Sequence, residues 1–179
     1  MNKLVFSGAG KRTMIARLLT EYPDRFQTSI SHTTRAPRPG ETDGVSYHFV
    51  SVATFQALQA AGAFADAIEL YGNRYGTLRD QASGGKTVIY ERDSRGVIAM
   101  AGLGVMTVYV RPPSVTVLEQ RLRGRGTETD AQITDRLATA VTEMTFLDTS
   151  PLVDVTVVND CFELAYRGLV DVIFSKIND

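Results

Sequence analysis

Two short runs of this chain leave little choice of architecture: Thr87-Val88-Ile89-Tyr90 and Val105-Met106-Thr107-Val108-Tyr109-Val110. Both are β-branched and apolar at nearly every position instead of at every second one. Strands of that kind have both faces covered, and they occupy the centre of parallel sheets flanked by helices. Lys3-Leu4-Val5-Phe6 reads the same way, and Gly8-Ala9-Gly10 turns the chain sharply out of it. Residues 13–19 have helical spacing, with Ile15, Leu18 and Leu19 on one face and Pro23 as the stop. Helices are also predicted over 52–61, 94–101, 114–123, 130–147 and 161–177, with a last strand over 155–158. Strands alternating with helices predict an α/β fold, a doubly wound parallel sheet.

Three further β-like pieces, 28–31, 47–50 and 64–71, lie close together and predict a small mixed β lobe on the α/β core. Residues 34–40 carry two prolines and a glycine, which forbid helix and mark an ordered surface loop. At 179 residues, 44% hydrophobic and 22% charged, the chain has room for one core and a small lobe but not for two full domains. The expectation is one domain, 1–179. Its core would cover about 1–31, 86–120 and 148–179, its lobe about 32–85 and its helical lid about 121–147.

Several function classes start low. The net charge of -1 disfavours a general nucleic-acid binder. Cys161 is the only cysteine and His32 and His48 are the only histidines, too little material for a protein-held metal site or a Ser-His-Asp triad. His48, in a strand-like run, reads as a structural residue. The N-terminal apolar run is too short for a signal peptide, and the 15-residue uncharged stretch from Gly96 to Val110 is broken by glycines. The expectation is a cytoplasmic monomer without nucleic-acid or membrane partners.

The near-zero charge conceals two asymmetries. Residues 1–38 carry seven basic side chains against two acidic ones, and residues 130–179 carry three against nine. Only Lys3, Lys11, Lys86 and Lys176 are lysines; the other 15 cations are arginines, whose planar fork suits bidentate phosphate binding. Genomic base composition is the better explanation for most of them.

Four segments carry candidate chemistry. Gly8-Ala9-Gly10-Lys11-Arg12 stands where a doubly wound protein places phosphate on a helix N-terminus. Against the template G-x-x-x-x-G-K-[ST] it is three residues short, with Arg12 at the hydroxyl position and Thr13 one place late. A plain β–turn–α is the competing reading. Ser31-His32-Thr33-Thr34-Arg35-Ala36-Pro37-Arg38 sets two arginine forks on a stiffened loop, able to clamp one phosphate. Tyr47, Asp66 and Tyr71-Gly72-Asn73-Arg74-Tyr75-Gly76-Thr77 follow, either as ligand groups or as a turn finishing a hairpin. Arg121-Leu122-Arg123-Gly124-Arg125-Gly126-Thr127-Glu128-Thr129, with Arg136 beyond it, describes a cationic flap or a solvated helix connection. Glu91-Arg92-Asp93 ends a buried strand, where its carboxylates either serve a ligand or pair with Arg92 and Arg95.

Taken in order, these segments resemble the guanylate kinase family. The resemblance rests on Ser-x-Thr-Thr-Arg-x-Pro-Arg-x-Gly-Glu, Gly-x-x-Tyr-x-Phe-Val, Tyr-Gly-Asn-x-Tyr-Gly-Thr, Pro-Pro-Ser, Arg-Leu-x-Gly-Arg-Gly-Thr-Glu-Thr and Val-Asn-Asp, spread from about Leu4 to Phe174. It implies transfer of the γ-phosphoryl group of ATP, with Mg²⁺, to GMP. It also implies that Arg35, Arg38, Tyr47 and Tyr75 hold the GMP phosphate. Ser31, Thr77 and Asp66 would read the guanine, with Glu91 and Asp93 nearby. Asp66 replaces the family's glutamate, and Glu91 replaces its aspartate. Gly8, Gly10, Lys11, Arg12, Thr13 and Asn159 fall at the ATP site, and Lys11, Arg121, Arg125 and Arg136 at the transferring phosphates. The short Gly8–Arg12 segment departs from the pattern and implies an impaired donor half. The alternative implied by the same resemblance is an inactive module that binds GMP or a phosphorylated protein partner; retention of the lid arginines favours the enzyme.

Overall fold

The computed structural model describes residues 3–70, 72–79, 85–126 and 128–177, and all of their side chains except those of Leu70 and Arg125. Its centre is a five-stranded parallel sheet in the order β2-β7-β1-β8-β9. These strands are β1 (Lys3–Gly8), β2 (Phe26–Thr28), β7 (Thr87–Glu91), β8 (Met106–Arg111) and β9 (Val155–Val158). The two continuous apolar runs lie beside β1, which pairs Leu4 with Ile89 on one side and with Met106 on the other. Leu4, Ile89, Val108 and Val110 are fully buried, because helices cover both faces.

One face packs under α1 (Lys11–Glu21) and α6 (Phe162–Ile177) through Met14, Leu18, Leu169 and Ile173. The other packs Val5, Val88, Tyr90 and Tyr109 against Val97 of α3 (Ser94–Ala99), Met100 directly after it and Leu147 of α5 (Asp130–Leu147). Each fully buried side chain of this size stabilises the fold by roughly 1.5–3 kcal/mol. The remaining long helix, α4 (Val115–Arg125), joins α5 through Leu118, Leu122 and Ile133. Ser114 caps α4, and Thr129 with Gln132 forms a capping box on α5, so both helix starts are set by their own sequence. Among the described residues no helix is long and apolar enough to cross a membrane.

A second, mixed sheet has the order β4-β3-β6-β5, from β3 (His32–Thr33), β4 (His48–Phe49), β5 (Phe64–Leu70) and β6 (Asn73–Leu78), with α2 (Val52–Ala60) against it. Gly76 sits where a Cβ would come within 2.9 Å of the Phe55 ring, so a glycine lets β6 pass over the buried face of α2.

Two segments differ from their sequence expectation. The strand expected over 28–31 runs over Phe26–Thr28, because Arg25 and Phe26 donate their N–H groups to the Tyr22 carbonyl and reverse the chain at once after α1. The segment 72–77, open to reading as a turn, lies mostly in β6, pairing with β5 from Leu78 opposite Phe64 to Asn73 opposite Leu70. Tyr71 lies outside the described residues.

Candidate active site

Gly8, Glu91 and Arg111 end β1, β7 and β8, and Asn159 follows β9, so all four stand at the carboxyl edge of the parallel sheet. Open α/β sheets bind ligands at that edge. Only Ala9 and Gly10 separate β1 from α1, and the Ala9 N–H is tied to the Val110 carbonyl at 3.0 Å. Gly8 and Gly10 have φ of 91° and 93°. A Cβ at Gly8 would lie 2.2 Å from the Val110 oxygen, and one at Gly10 2.7 Å from Asn159 Nδ2. Both positions therefore demand glycine on conformation and on space. Asn159 is buried, with its N–H on the Arg111 carbonyl.

No side chain caps the start of α1. Its first N–H groups and the positive end of its dipole face the edge of the sheet, an arrangement that favours anions. Lys11 donates from Nζ to the Gly8 carbonyl at 3.1 Å and stands 3.9 Å from Glu91 Oε1. Arg12 is 88% exposed, with Nε 3.9 Å from Glu91 Oε2, and Thr13 is exposed. A cavity of about 70 Å³ lies behind the turn, lined by Gly8, Ala9, Tyr109, Ala140, Glu143 and Met144. Tyr109 is buried there, which together with nearby Asp148 pushes its hydroxyl up to about 12.

The small sheet carries the second group. Arg35 Nη2 donates to Glu41 Oε1 at 2.8 Å, and the Arg38 N–H donates to Glu41 Oε2 at 2.7 Å. The Arg35 guanidinium lies 5.5 Å from the Tyr47 ring and 5.9 Å from Phe49, and the Tyr47 and Tyr75 rings meet edge to face at 6.1 Å. The Arg35 fork and the Arg38 N–H hold the Glu41 carboxyl below the usual carboxylate range, while Glu41 and Tyr75 raise Arg35. One carboxylate thus already engages the donors expected to receive a phosphate.

Ser31 Oγ and Thr77 Oγ1 share a hydrogen bond of 2.7 Å, and Thr77 stands opposite Asp66 in the β5–β6 ladder. Asp66 is met from the other side by Arg92 Nη2, 3.4 Å from Oδ1.

Other expected residues spend their polar groups locally. Asp93 caps α3, accepting from the Gly96 N–H at 2.9 Å and from Arg95 at 2.8 and 3.1 Å. Burial pushes its carboxyl up, but these donors outweigh burial and leave it below its ordinary value. Arg121 donates to the Asn159 and Asp160 carbonyls, and Arg136 pairs with Glu128 at 3.2 Å. The side chain of Arg125 and all of Thr127 lie outside the described residues. No cluster of three metal-ligating side chains occurs among the described residues. A nucleotide-borne Mg²⁺ needs only one or two protein carboxylates in addition to phosphate oxygens. Glu91 fits that requirement, whereas Asp93 is committed to its cap.

Glu41, the Asp66–Arg92 pair and the His32–His48 stack, whose rings are 4.7 Å apart, have no role in the sequence pattern. Glu41 had a local signal, an acid three residues after Arg38 on the same loop. The other two join residues distant in sequence.

The guanylate kinase family profile matches residues 3–176. The chain is 43% identical to a guanylate kinase of Shewanella denitrificans over 176 residues, 95% of this chain and 84% of that protein. It is 40% identical to the human guanylate kinase over 177 residues, 96% and 90% of the two chains. Its fold matches the crystal structure of guanylate kinase from Anaplasma phagocytophilum with a TM-score of 0.64, at 24% identity and covering 97% of this chain and 84% of that one. A carboxyl-edge anion turn, a neighbouring arginine–tyrosine cluster and a match over almost the entire length agree: the chain belongs to the guanylate kinase family.

Proposed function

We propose that the protein transfers the γ-phosphoryl group of ATP to GMP, giving ADP and GDP, with Mg²⁺ accompanying ATP. The ATP-dependent nucleoside monophosphate kinase activity follows from membership of the family and from relatives named guanylate kinase at about 40% identity over nearly the whole chain. The observation that carries the assignment of sites is the Arg35–Glu41–Arg38 contact beside Tyr47 and Tyr75, a preassembled anion receptor.

In this reading Arg35, Arg38, Tyr47 and Tyr75 hold the GMP phosphate, which takes over donors now satisfied by Glu41. Ser31, Thr77 and Asp66 receive the base, while Glu91 and Asp93 line the approach between the two sheets. Gly8, Gly10, Lys11, Arg12, Thr13 and Asn159 form the donor end, where main-chain N–H groups and Lys11 face the β- and γ-phosphates. Glu91 is the protein carboxylate that would hold a Mg²⁺ carried by the nucleotide, and the ion would neutralise phosphate charge there. In-line transfer needs positioning and charge neutralisation more than covalent chemistry. Arg121, Arg125 and Arg136 supply positive charge from the α4–α5 lid, Arg121 and Arg136 once the Asn159 and Asp160 carbonyls and Glu128 are exchanged for phosphate. Core, lobe and lid follow the division 1–31, 86–120 and 148–179; 32–85; and 121–147.

A coupled assay with ATP, Mg²⁺ and GMP tests the reading: GMP-dependent ADP formation is expected. Its absence from folded protein that still binds GMP would favour the binding-only alternative, for which the two-residue Ala9-Gly10 turn is the one structural argument.

A further inference from the structure

Arg92 enters the proposed base site from the core and not from the small sheet. Its main-chain N–H donates to the Phe6 carbonyl at 2.9 Å and its Nη1 to the Glu91 carbonyl at 2.8 Å. Its guanidinium lies 5.6 Å from the Tyr90 ring, and its methylenes run against Gly96, where a Cβ would meet them at 2.5–3.0 Å. The side chain is only 12% exposed. Yet Nε is buried without a hydrogen-bond partner, and the contact to Asp66 is stretched to 3.4 Å. Charge-assisted N–H···O bonds ordinarily close to about 2.7–2.9 Å. The guanidinium is therefore fixed at its stem and aimed at the site with donor capacity to spare.

The polar groups around this point differ in what they can discriminate. The Ser31 and Thr77 hydroxyls either donate or accept, so alone they tolerate any base edge. A carboxylate only accepts, and a guanidinium only donates. Guanine presents an acceptor, its 6-oxo oxygen, beside a donor, its N1–H. Adenine presents the reverse, an amine beside an acceptor nitrogen. A carboxylate by itself would also accept from the adenine amine. An adjacent donor-only group would face that amine with no lone pair to offer, a mismatch of the kind that separates substrates most strongly.

We propose that Arg92 and Asp66 act as a pair that reads the purine edge, Arg92 donating to the 6-oxo oxygen while Asp66 accepts from N1–H and the 2-amino group. This makes Arg92 a specificity-determining residue of the acceptor site, and it rests on the GMP kinase reading above. Asp66 is a short acid fixed on β5, and Arg92 spans the remaining distance from just beyond the end of β7.

The test is a nucleotide panel. Values of kcat/KM for GMP, IMP and AMP, and KM for ATP, are measured for the wild type, R92M, R92Q and R92K. R92M is expected to reduce the GMP-to-AMP ratio at least tenfold through KM for GMP, with KM for ATP unchanged. R92Q, whose amide can also accept, is expected to behave similarly and serves if R92M does not fold. R92K, which retains a donor-only cation, should keep the ratio within about threefold. Equal losses for all three nucleotides, or an unchanged ratio, would show that Arg92 only holds the structure together and would overturn the proposal. Calorimetric binding of GMP and AMP to the same proteins reads the ratio without turnover. An inactive wild type that binds GMP selectively would count against the kinase reading alone, and a preference unaltered in R92M and R92Q would count against the pair alone. A wild type that binds no GMP overturns both.

Discussion

Glu41 joins Arg35 to the main chain of Arg38: one carboxylate oxygen takes the Arg35 fork at 2.8 Å and the other takes the Arg38 N–H at 2.7 Å. This contact organises the loop 34–41 before any ligand arrives, and it leaves the exposed Arg38 side chain as the adaptable member of the clamp. Arg38→Ala is accordingly expected to raise KM for GMP by roughly 10- to 100-fold, the range of one lost charge-assisted contact, while KM for ATP changes less than twofold. Steady-state kinetics with each nucleotide varied in turn checks this; equal effects on both would misplace the clamp.

The turn at the carboxyl edge should be intolerant where a glycine of the 34–41 loop is not. Gly8→Ala adds positive-φ strain and a Cβ 2.2 Å from the Val110 oxygen. Gly40→Ala has the same sign of φ, at 84°, but nothing within 4 Å. The second change is expected to cost about 1 kcal/mol and the first at least about twice that, a difference of several degrees in Tm for a chain of this size. Thermal melts of the two variants side by side decide it.

Leu169 and Leu164 lie on the same helix with opposite surroundings, the first fully buried between α6 and the sheet and the second 68% exposed. Leu169→Ala is expected to cost about 2–5 kcal/mol. Leu164→Ala should stay within about 0.5 kcal/mol of the wild type. Urea titrations would expose a misplaced α6 if the order were reversed.

The small sheet should respond to mild acid. Burial, reinforced by the neighbouring His48, lowers the His32 imidazole below its ordinary 6.5, with Asp43 opposing. As pH falls from 6.5, the unfolded chain takes up this proton before the folded one does. Stability present above pH 6.5 is thus lost progressively as pH drops toward the folded value, then levels off. Tm measured between pH 5 and 7.5 should fall on the acid side for the wild type, and His32→Gln should flatten that slope. A wild-type profile that rises toward acid would refute the assignment.

Four of the five parallel strands and the six helices among the described residues are legible in the sequence because each follows from local pattern: continuous apolar runs for β1, β7 and β8, and 3.6-residue spacing for α1 and α5. Where β2 begins was not legible, since the reversal that sets it depends on Tyr22 accepting two N–H groups after α1. The Tyr/Gly segment 72–77 was also ambiguous, because its membership in β6 comes from cross-strand partners on β5 and β3. At the candidate site, spacing on one loop suggests Arg35 and Arg38 as a pair, while the grouping of Tyr47 and Tyr75 with them comes from the family resemblance. Arg92 could not be placed beside Asp66, because nothing local to either residue records that β7 ends beside the small sheet.

The strand at the heart of the fold is made before both of its partners. Among the described residues β1 pairs with β7 and β8 only, and neither exists until the whole small sheet has been synthesised. An apolar strand with two unfilled edges must therefore wait on the ribosome, under the cover of α1, for partners from the far side of an insertion. Parallel pairings across such separations are slow to close and prone to association while open. The small sheet, whose β5–β6 hairpin is local, can form during that wait. The same insertion that brings the acceptor site to the core thus sets the order in which the protein is assembled, lobe first and central sheet last.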